Sequence, residues 1–361
     1  MMGENVGAPH HGNRVSHLTR RLKDAGLLTA ALMILALTSC QRDATSPEPA
    51  LVPQTGVSTT PEGGGAVEGM TIALVPKGTT HVFWQTVKKG AEDAAAEVGA
   101  RIEFKGPASE EDIIGQISII ENLTSAEVDG IVMAACDADD LIAPLARAKD
   151  AGIPIAVIDS GINDDSIPVT YAATDNVLGG QRAAEALMEL IGPQGGKVAV
   201  IPFIQGAQSS DERERGFVEE IQKHPEFELL PPLYSNSLLQ EAVKVVENLL
   251  NAHPDVKGIF AANEPGAMGA ARVLEQRGLA GQVTLVGFDA AEPEIEGLEA
   301  GTIQALIVQD PYRMGYEGVM AVVKAIKGET VEPKIDTGVT VVTADNLEDP
   351  EVVELLSSQA G

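Results

Sequence analysis

The chain has 361 residues, of which 44% are apolar, 22% are charged and only twelve are aromatic, and its net charge is −28. This charge repels a phosphate backbone and the few rings offer little for base stacking, which excludes a nucleic-acid-binding surface. The composition is that of a globular protein, and the length favours two domains. Two cysteines and no Cys-x-x-Cys pair exclude a disulfide framework.

The first 39 residues have the pattern of a secretory signal. Four basic residues lie between positions 14 and 23, and an apolar run follows over 25–37. This run is shorter than a bilayer span requires, and small residues follow it before a cysteine. The sequence Leu-Thr-Ser-Cys resembles the lipobox of bacterial lipoproteins, so Cys40 is the expected lipid anchor and first mature residue. Residues 40–69 are rich in Pro, Gly, Ser and Thr, which predicts a flexible tether.

From residue 70 onward, apolar runs of strand length alternate with amphipathic segments of helix length. In the first half the predicted strands are 71–76, 102–104, 130–135, 154–158 and 169–173, with helices at 82–98, 110–123 and 141–149. In the second half the predicted strands are 197–203, 227–230, 258–262, 283–288, 303–308 and 339–342, with helices at 179–191, 212–223, 240–250, 266–276, 293–300 and 313–327. In the helix predicted over 110–123, isoleucines form the expected buried face, and Glu110 and Gln116 are placed on the opposite, polar face.

This alternation predicts parallel sheets that are covered by helices on both faces. About five strand–helix units occur twice, which predicts an α/β protein with two doubly wound lobes. Ligands of open parallel sheets bind beyond the carboxyl ends of the strands. The residues that directly follow each strand are therefore the candidates for function.

Motifs of catalysis are missing from the sequence. There is no Gly-x-Ser-x-Gly or His-Glu-x-x-His motif, and the glycines at 192–198 lack the spacing of a phosphate loop. Only His81, His224 and His253 remain after the signal. We therefore expect a protein without enzymatic activity, metal or cofactor.

Polar and aromatic side chains cluster after the predicted strands. The candidate ligand-binding residues are Lys77, His81, Phe83, Trp84, Asp137, Asp159, Arg213, Asn263, Asp289 and Gln309. Carboxylates and amides bind hydroxyl pairs, Arg donates through a planar fork, and aromatic faces cover the C–H side of a sugar ring. This set suits a polyhydroxylated ligand.

Other roles remain open for some of these residues. Neighbouring helical residues point about 100° apart, so one of Phe83 and Trp84 is expected in the core. Asn263 and Asp289 also suit helix N-caps, and Asp137 can cap the helix that follows it.

Residues 70 to the end resemble the periplasmic sugar-binding proteins of ABC transporters, most of all the ribose-binding type. The resemblance is carried by the segments VFWQTVKKGAEDAAAE, ATDNVLGGQRAAEAL, RERGF, AANEPGAMGAARVL, LVGFD and VQDPYRMGYEGV. It implies the type I periplasmic binding protein fold, with two lobes joined by a three-stranded hinge near 173–175, 309–310 and 337–339. Residues 70–173 plus 310–338 would form the N-terminal lobe, and 174–309 plus 339–361 the C-terminal lobe.

The sugar contacts of that family match positions of this chain. The ring-stacking aromatics match Phe83 and Trp84, and the polar contacts match Asp159, Arg213, Asn263, Asp289 and Gln309. The sequence departs from the ribose type at His81, where that type has Asn, and at Ser160, where it has Arg. Lys77 has no clear counterpart. We expect a sugar other than ribose. Because Lys77, His81 and Arg213 are basic, an acidic or phosphorylated sugar is an alternative ligand.

The resemblance implies a monomeric, lipid-anchored receptor outside the cytoplasm that closes on a sugar and delivers it to an ABC permease. One alternative is a ligand-sensing partner of a chemoreceptor or histidine kinase. A repressor of the related regulator family would need an N-terminal helix-turn-helix where this chain has a secretion signal. A hydrolase would need Asp159 and Asp289 as paired carboxylates, and these are expected on opposite lobes.

Overall fold

The computed structural model describes residues 67–359, and the predicted signal, Cys40 and the predicted tether up to residue 66 lie outside this range. The last residues predicted as tether are packed against the fold: Val67 is 2% exposed, and the Gly69 N–H donates to Gly99 O at 2.9 Å. Strands and helices alternate along nearly all of it. In chain order the elements are β1 (Thr71–Val75), α1 (Val82–Val98), β2 (Arg101–Phe104), α2 (Ile113–Ser125), β3 (Gly130–Met133), α3 (Ile142–Asp150), β4 (Ile155–Ile158), β5 (Thr170–Ala173), α4 (Asn176–Ile191), β6 (Gly196–Ile201), α5 (Gln208–Ile221), β7 (Phe227–Leu229), α6 (Leu239–Ala252), β8 (Val256–Ala261), α7 (Glu264–Gln276), β9 (Thr284–Phe288), α8 (Glu292–Ala300), β10 (Ala305–Val308), α9 (Pro311–Ile326), β11 (Lys334–Asp336), β12 (Thr340–Val342) and α10 (Pro350–Gln359).

The strands form two six-stranded sheets with the same order. One sheet has the order β11-β5-β4-β3-β1-β2 and the other β12-β10-β9-β8-β6-β7. All pairs are parallel except the antiparallel pair of β10 and β12. We call the first sheet with its helices the N-terminal lobe and the second the C-terminal lobe. The two doubly wound α/β lobes predicted from the sequence are confirmed.

The central strands are apolar because helices cover both faces of each sheet. Every residue of β3, β4 and β10 is buried. The edge strand β2 (Arg-Ile-Glu-Phe) has no fully buried residue. The sequences therefore specify which strands lie in the middle of a sheet.

The helix α2 differs from the sequence prediction in its start and in its buried face. It begins at Ile113, with Asp112 as its N-cap, and Ile114 is 78% exposed. Gln116 is instead fully buried, and its amide bonds to Pro76 O, Ala134 O and Cys136 N. These hydrogen bonds tie the carboxyl ends of β1 and β3 to the helix, so a polar residue lies where an apolar one was expected.

Glycines allow one close helix crossing in each lobe. A Cβ at Gly90 of α1 would lie 2.0 Å from the Tyr312 carbonyl oxygen of α9. In the C-terminal lobe, a Cβ at Gly180 of α4 would lie 2.1 Å from the Arg213 carbonyl oxygen of α5. Both helix pairs consequently pack backbone against backbone, and each crossing fixes a helix that reaches the interlobe cavity.

Three segments connect the sheets within the described range. Residues 174–175 lead from β5 to α4, 309–310 lead from β10 to α9, and 337–339 separate β11 from β12. The fold thus has the three-stranded hinge that the sequence predicted. Among residues 67–359 we find no helix with the length and apolarity that a membrane crossing demands.

Candidate functional site

A cavity lies between the two lobes, with an empty volume of about 290 Å³ that includes its part open to solvent. Residues that follow strands or begin helices in both lobes form its walls, as expected at the carboxyl ends of parallel strands. The lining residues are Lys77, His81, Phe83, Trp84, Glu110, Asp159, Phe203, Arg213, Asn263, Glu264, Pro265, Asp289 and Gln309.

Two aspartates occupy equivalent positions in the two lobes. Asp159 follows β4 and Asp289 follows β9, and both have a left-handed backbone, with φ of 54° and 85°. A non-glycine residue pays a conformational cost of about 1–3 kcal/mol in this region. The fold therefore holds both carboxylates at the cavity in a backbone conformation that is rare for aspartate.

Lys77 is paired with Asp159 at the N-terminal side of the cavity. Its Nζ lies 2.9 Å from Asp159 Oδ2 and donates to Ser209 Oγ at 3.0 Å. Lys77 and Asp159 are only 2% and 3% exposed. The lysine charge is thus compensated by the protein before any ligand enters.

Arg213 connects the C-terminal lobe to the hinge. Its guanidinium donates from Nε to Asn176 Oδ1 at 2.9 Å, from Nη1 to Ala262 O at 2.8 Å and from Nη2 to Gln309 Oε1 at 3.2 Å. Its Cζ lies 3.6 Å from the centre of the Phe288 ring. Among the described residues three of its five N–H groups donate hydrogen bonds, and Nη2 also lies 3.9 Å from Asp159 Oδ1.

Gln309 and Asp289 form a second hydrogen-bonded pair. Gln309 Nε2 donates to Asp289 Oδ1 at 2.6 Å, and the Glu264 N–H donates to Asp289 Oδ2 at 3.1 Å. Burial raises the pKa of Asp289 even though Arg213 and these hydrogen bonds act in the opposite direction.

Glu110 is a buried carboxylate that sequence reasoning placed on an exposed helix face. It lies before α2, is 6% exposed, and accepts from Trp84 Nε1 and Ser237 Oγ, each at 2.9 Å. Burial raises its pKa, but the charge of Lys77 and the hydrogen bonds from His81 and Trp84 outweigh burial and lower the pKa to about 2. The side chain is therefore an anion and only accepts hydrogen bonds.

His81 is the N-cap residue of α1 and makes no side-chain cap. Its Nδ1 lies 3.4 Å from Glu110 Oε1. Burial lowers the pKa of His81, whereas the hydrogen bond and charge of Glu110, with the charges of Glu264 and Asp289, raise it above the usual value. The His81 imidazole is consequently paired with the Glu110 carboxylate.

Aromatic and apolar side chains form the remaining wall. Trp84 is 1% exposed and belongs to the N-terminal core, whereas Phe83 is half-buried and packs edge-on against it. Phe203, which ends the β6 region, lies beneath Lys77, and Pro265 completes the wall. The expectation that one of the adjacent pair belongs to the core holds for Trp84, although its edge also reaches the cavity.

The lobes are in direct contact around the cavity. Ser209 N donates to Ser160 Oγ at 3.3 Å, and Ala138 N donates to Gly206 O at 3.1 Å. These bonds join loops of different lobes, and the Lys77–Ser209 bond does the same. The structure therefore has the cleft closed.

The structure brings all of the predicted ligand-binding residues to the cavity except Asp137. Its Oδ1 accepts from the N–H groups of Asp139 and Asp140, each at 2.8 Å, so the carboxylate closes the turn before α3 instead of facing the cavity. The sequence missed Glu110, Phe203, Glu264 and Pro265. Of these, Phe203 ends a predicted strand and Glu264 lies two residues after one, and these positions were an available signal.

Two doubly wound lobes, three connections and a polar cavity between the lobes are typical of a two-lobed solute-binding protein. The model of the family described as "Periplasmic binding protein domain" matches residues 72–330. The chain belongs to this family. It is a binding protein of the kind found with transporters, and not an enzyme.

Similar proteins are known from sequence and from structure. The chain is 31% identical over 267 residues to the D-allose-binding periplasmic protein of Escherichia coli, an alignment that covers 72% of this chain and 86% of that protein. It is 31% identical over 264 residues to the ribose import binding protein of Salmonella typhimurium, with 73% and 87% covered. An ABC transporter solute-binding protein from Agrobacterium vitis with bound D-fucose superposes with a TM-score of 0.77 at 38% identity, and covers 79% of this chain and 99% of its own.

Proposed function

We propose that this protein captures one neutral monosaccharide between its lobes and delivers it to an ABC permease. The observation that carries the proposal is the cavity between the lobes, lined by polar groups from both lobes and by Phe83, Trp84 and Phe203. Such a combination of polar groups and rings suits a single sugar unit. Polar groups serve the hydroxyls, and the rings cover the C–H face.

The charges of the cavity favour a neutral sugar over an anionic one. Lys77 is paired with Asp159, His81 with Glu110, and Arg213 already donates to three protein acceptors. Four carboxylates line the cavity against two permanent cations. An added carboxylate or phosphate would meet this negative excess between largely buried side chains, where repulsion is stronger than in bulk water. Two of the similar proteins are named for D-allose and ribose, and a third has D-fucose bound; all three sugars are neutral.

Titration calorimetry tests the ligand class. We expect D-allose, D-fucose, D-tagatose or a related neutral sugar to bind, and D-glucuronate and D-ribose 5-phosphate to give no heat. Asp159→Asn should abolish binding, because the ion pair with Lys77 is lost. Asp165→Asn, an exposed change further along the same loop, should not alter binding. Binding of the anionic sugars alone would contradict the proposal.

Closure links binding to transport, because a ligand that contacts both lobes favours the closed state. Small-angle scattering should record a smaller radius of gyration when the sugar is added. A sugar that binds without compaction would refute the closure mechanism.

The finer proposals concern attachment and assembly. We infer that Cys40 is lipidated and tethers a monomer at the outer side of a bacterial membrane. Cys40→Ser should abolish palmitate labelling and release the protein into the soluble envelope fraction. Labelling that persists in the variant would contradict the anchor, and a mass of two chains in light scattering would contradict the monomer.

A further inference from the structure

Ser237 makes a hydrogen bond between the lobes that involves no ligand. It lies in the loop between β7 and α6 of the C-terminal lobe, and its Oγ donates to Oε2 of Glu110 in the N-terminal lobe at 2.9 Å. Ser237 is 2% exposed and Glu110 is 6% exposed. Bonds to a buried anion are stronger than bonds between neutral groups.

The backbone around Ser237 is held in an uncommon conformation. Asn236 and Ser237 are consecutive residues with φ of 54° and 55°. Two successive left-handed residues without a glycine cost conformational free energy, and such residues cluster at functional sites. The loop therefore presents the hydroxyl to Glu110 at an energetic cost.

The same hydroxyl fixes the orientation of Asn263. Asn263 Nδ2 donates to Ser237 Oγ at 2.8 Å, and Asn263 Oδ1 accepts from Gly266 N at 3.1 Å as the N-cap of α7. Since the serine proton is directed to Glu110, Ser237 Oγ accepts from the amide. Both ends of the amide are thus bonded, and its remaining N–H is the donor available on the cavity side.

We propose that Ser237 is a positioning residue that couples lobe closure to the orientation of Asn263. The chain Asn263–Ser237–Glu110 is complete only when the lobes are together, so closure aligns the amide, and the same bonds hold part of the ligand-free protein closed. The coupling to sugar affinity rests on the proposed function, whereas the contact between the lobes does not.

A spectroscopic reporter already belongs to this chain of hydrogen bonds. Trp84 Nε1 donates to Glu110 Oε1 at 2.9 Å, and Trp84 is the only tryptophan of the protein. Separation of Glu110 from Ser237 changes the polarity around the indole. Emission of the full chain therefore reports the state of the link without a label.

Three variants test the proposal. Ser237→Ala removes the hydroxyl, Ser237→Gly removes the hydroxyl and the backbone strain together, and Ser235→Ala removes a buried hydroxyl whose bond to Pro202 O stays within one lobe. Both changes at Ser237 should enlarge the ligand-free radius of gyration and shift the emission to the red. They should also weaken binding of D-allose or D-fucose roughly tenfold through faster dissociation. Ser235→Ala should match the wild type.

The outcomes separate this proposal from the proposed function. If ligand-free Ser237→Gly has the wild-type radius of gyration, the effect of Ser237→Ala comes from backbone strain, and the proposed link between Ser237 and Glu110 is wrong. The link is also wrong if Ser237→Ala and Ser235→Ala behave identically. Glu110→Gln combined with Ser237→Ala should weaken binding by less than the product of the two single effects. If no sugar binds and the ligand-free compaction still differs, the proposed function fails while the link between the lobes stands.

Discussion

Replacement of Arg213 by lysine is expected to lower both stability and sugar affinity, although the charge is kept. The guanidinium reaches Asn176 Oδ1, Ala262 O and Gln309 Oε1 from three different nitrogens. A lysine has one nitrogen on a shorter reach, so it cannot lie within about 3 Å of all three acceptors.

The cost follows from the acceptors that lose their donor. An unsatisfied buried acceptor costs about 1–3 kcal/mol, so losing the bonds to Asn176 and Ala262 lowers the free energy of unfolding by about 2–6 kcal/mol. With an unfolding entropy of about 2.1 cal/mol/K per residue, a chain of this size would have a melting temperature lower by roughly 3–10 °C. Loss of one charged hydrogen bond to the sugar, about 1.5–3 kcal/mol, weakens binding roughly tenfold to a hundredfold.

Calorimetry measures both quantities, and the same helix supplies the control. Arg215 lies two residues further along α5 with 54% of its side chain exposed, so Arg215→Lys should change unfolding by less than about 0.5 kcal/mol. An Arg213→Lys variant that melts with the wild type would refute the hydrogen-bond argument. A variant that is destabilised but binds sugar with wild-type affinity would refute the role of Arg213 in binding.

Three further predictions concern packing, stacking and pH. Gly216→Ala should lower the free energy of unfolding by about 2–3 kcal/mol in urea titrations, because its Cβ would lie 2.1 Å from the Val177 carbonyl oxygen; a stable variant would contradict the close helix crossing. Phe83→Leu should weaken sugar binding about two- to tenfold in calorimetry with little change in melting temperature, since the ring is half-buried at the cavity and is proposed to stack on the sugar. Burial holds the pKa of Glu294 well above its usual range. The contribution of Glu294 to the free energy of unfolding therefore falls as the pH rises from the pKa of the unfolded state through the raised pKa of the folded state. Glu294→Gln should flatten this decline in urea unfolding between pH 5 and 8, whereas exposed Glu296→Gln should leave it unchanged; equal slopes would contradict the assignment.

The fold was predictable because each central strand is a short apolar run between amphipathic helices. The helix α2 shows where this reasoning stops: hydrophobic periodicity placed Ile114 inside and Gln116 outside, and the structure reverses both. Periodicity records apolar area alone, whereas Gln116 is buried because three backbone groups at the strand ends bond to its amide. The same misplaced helix start hid Glu110.

The candidate site was predictable where strand ends and family resemblance coincide, as for Asp159 and Asp289. Partners across the cleft were not predictable, because a sequence does not state which loop of one lobe meets which loop of the other. Ser237 illustrates this limit: it has no motif, and only its position against Glu110 gives it a role. Asp137 illustrates the opposite case, since an acid after a strand is also well suited to close a turn.

The order of elements along the chain has a consequence for synthesis. The core of the N-terminal lobe includes Met314, Val319 and Val322 of α9, and one of its two edge strands is β11, so this lobe is built from both ends of the described chain. The sheet of the C-terminal lobe likewise includes β12, which lies near the end of the described chain. A nascent chain cannot complete either lobe until nearly all of it has left the ribosome, because contacts so distant in sequence form late. An incompletely folded chain is the form that can still be threaded through a narrow protein channel.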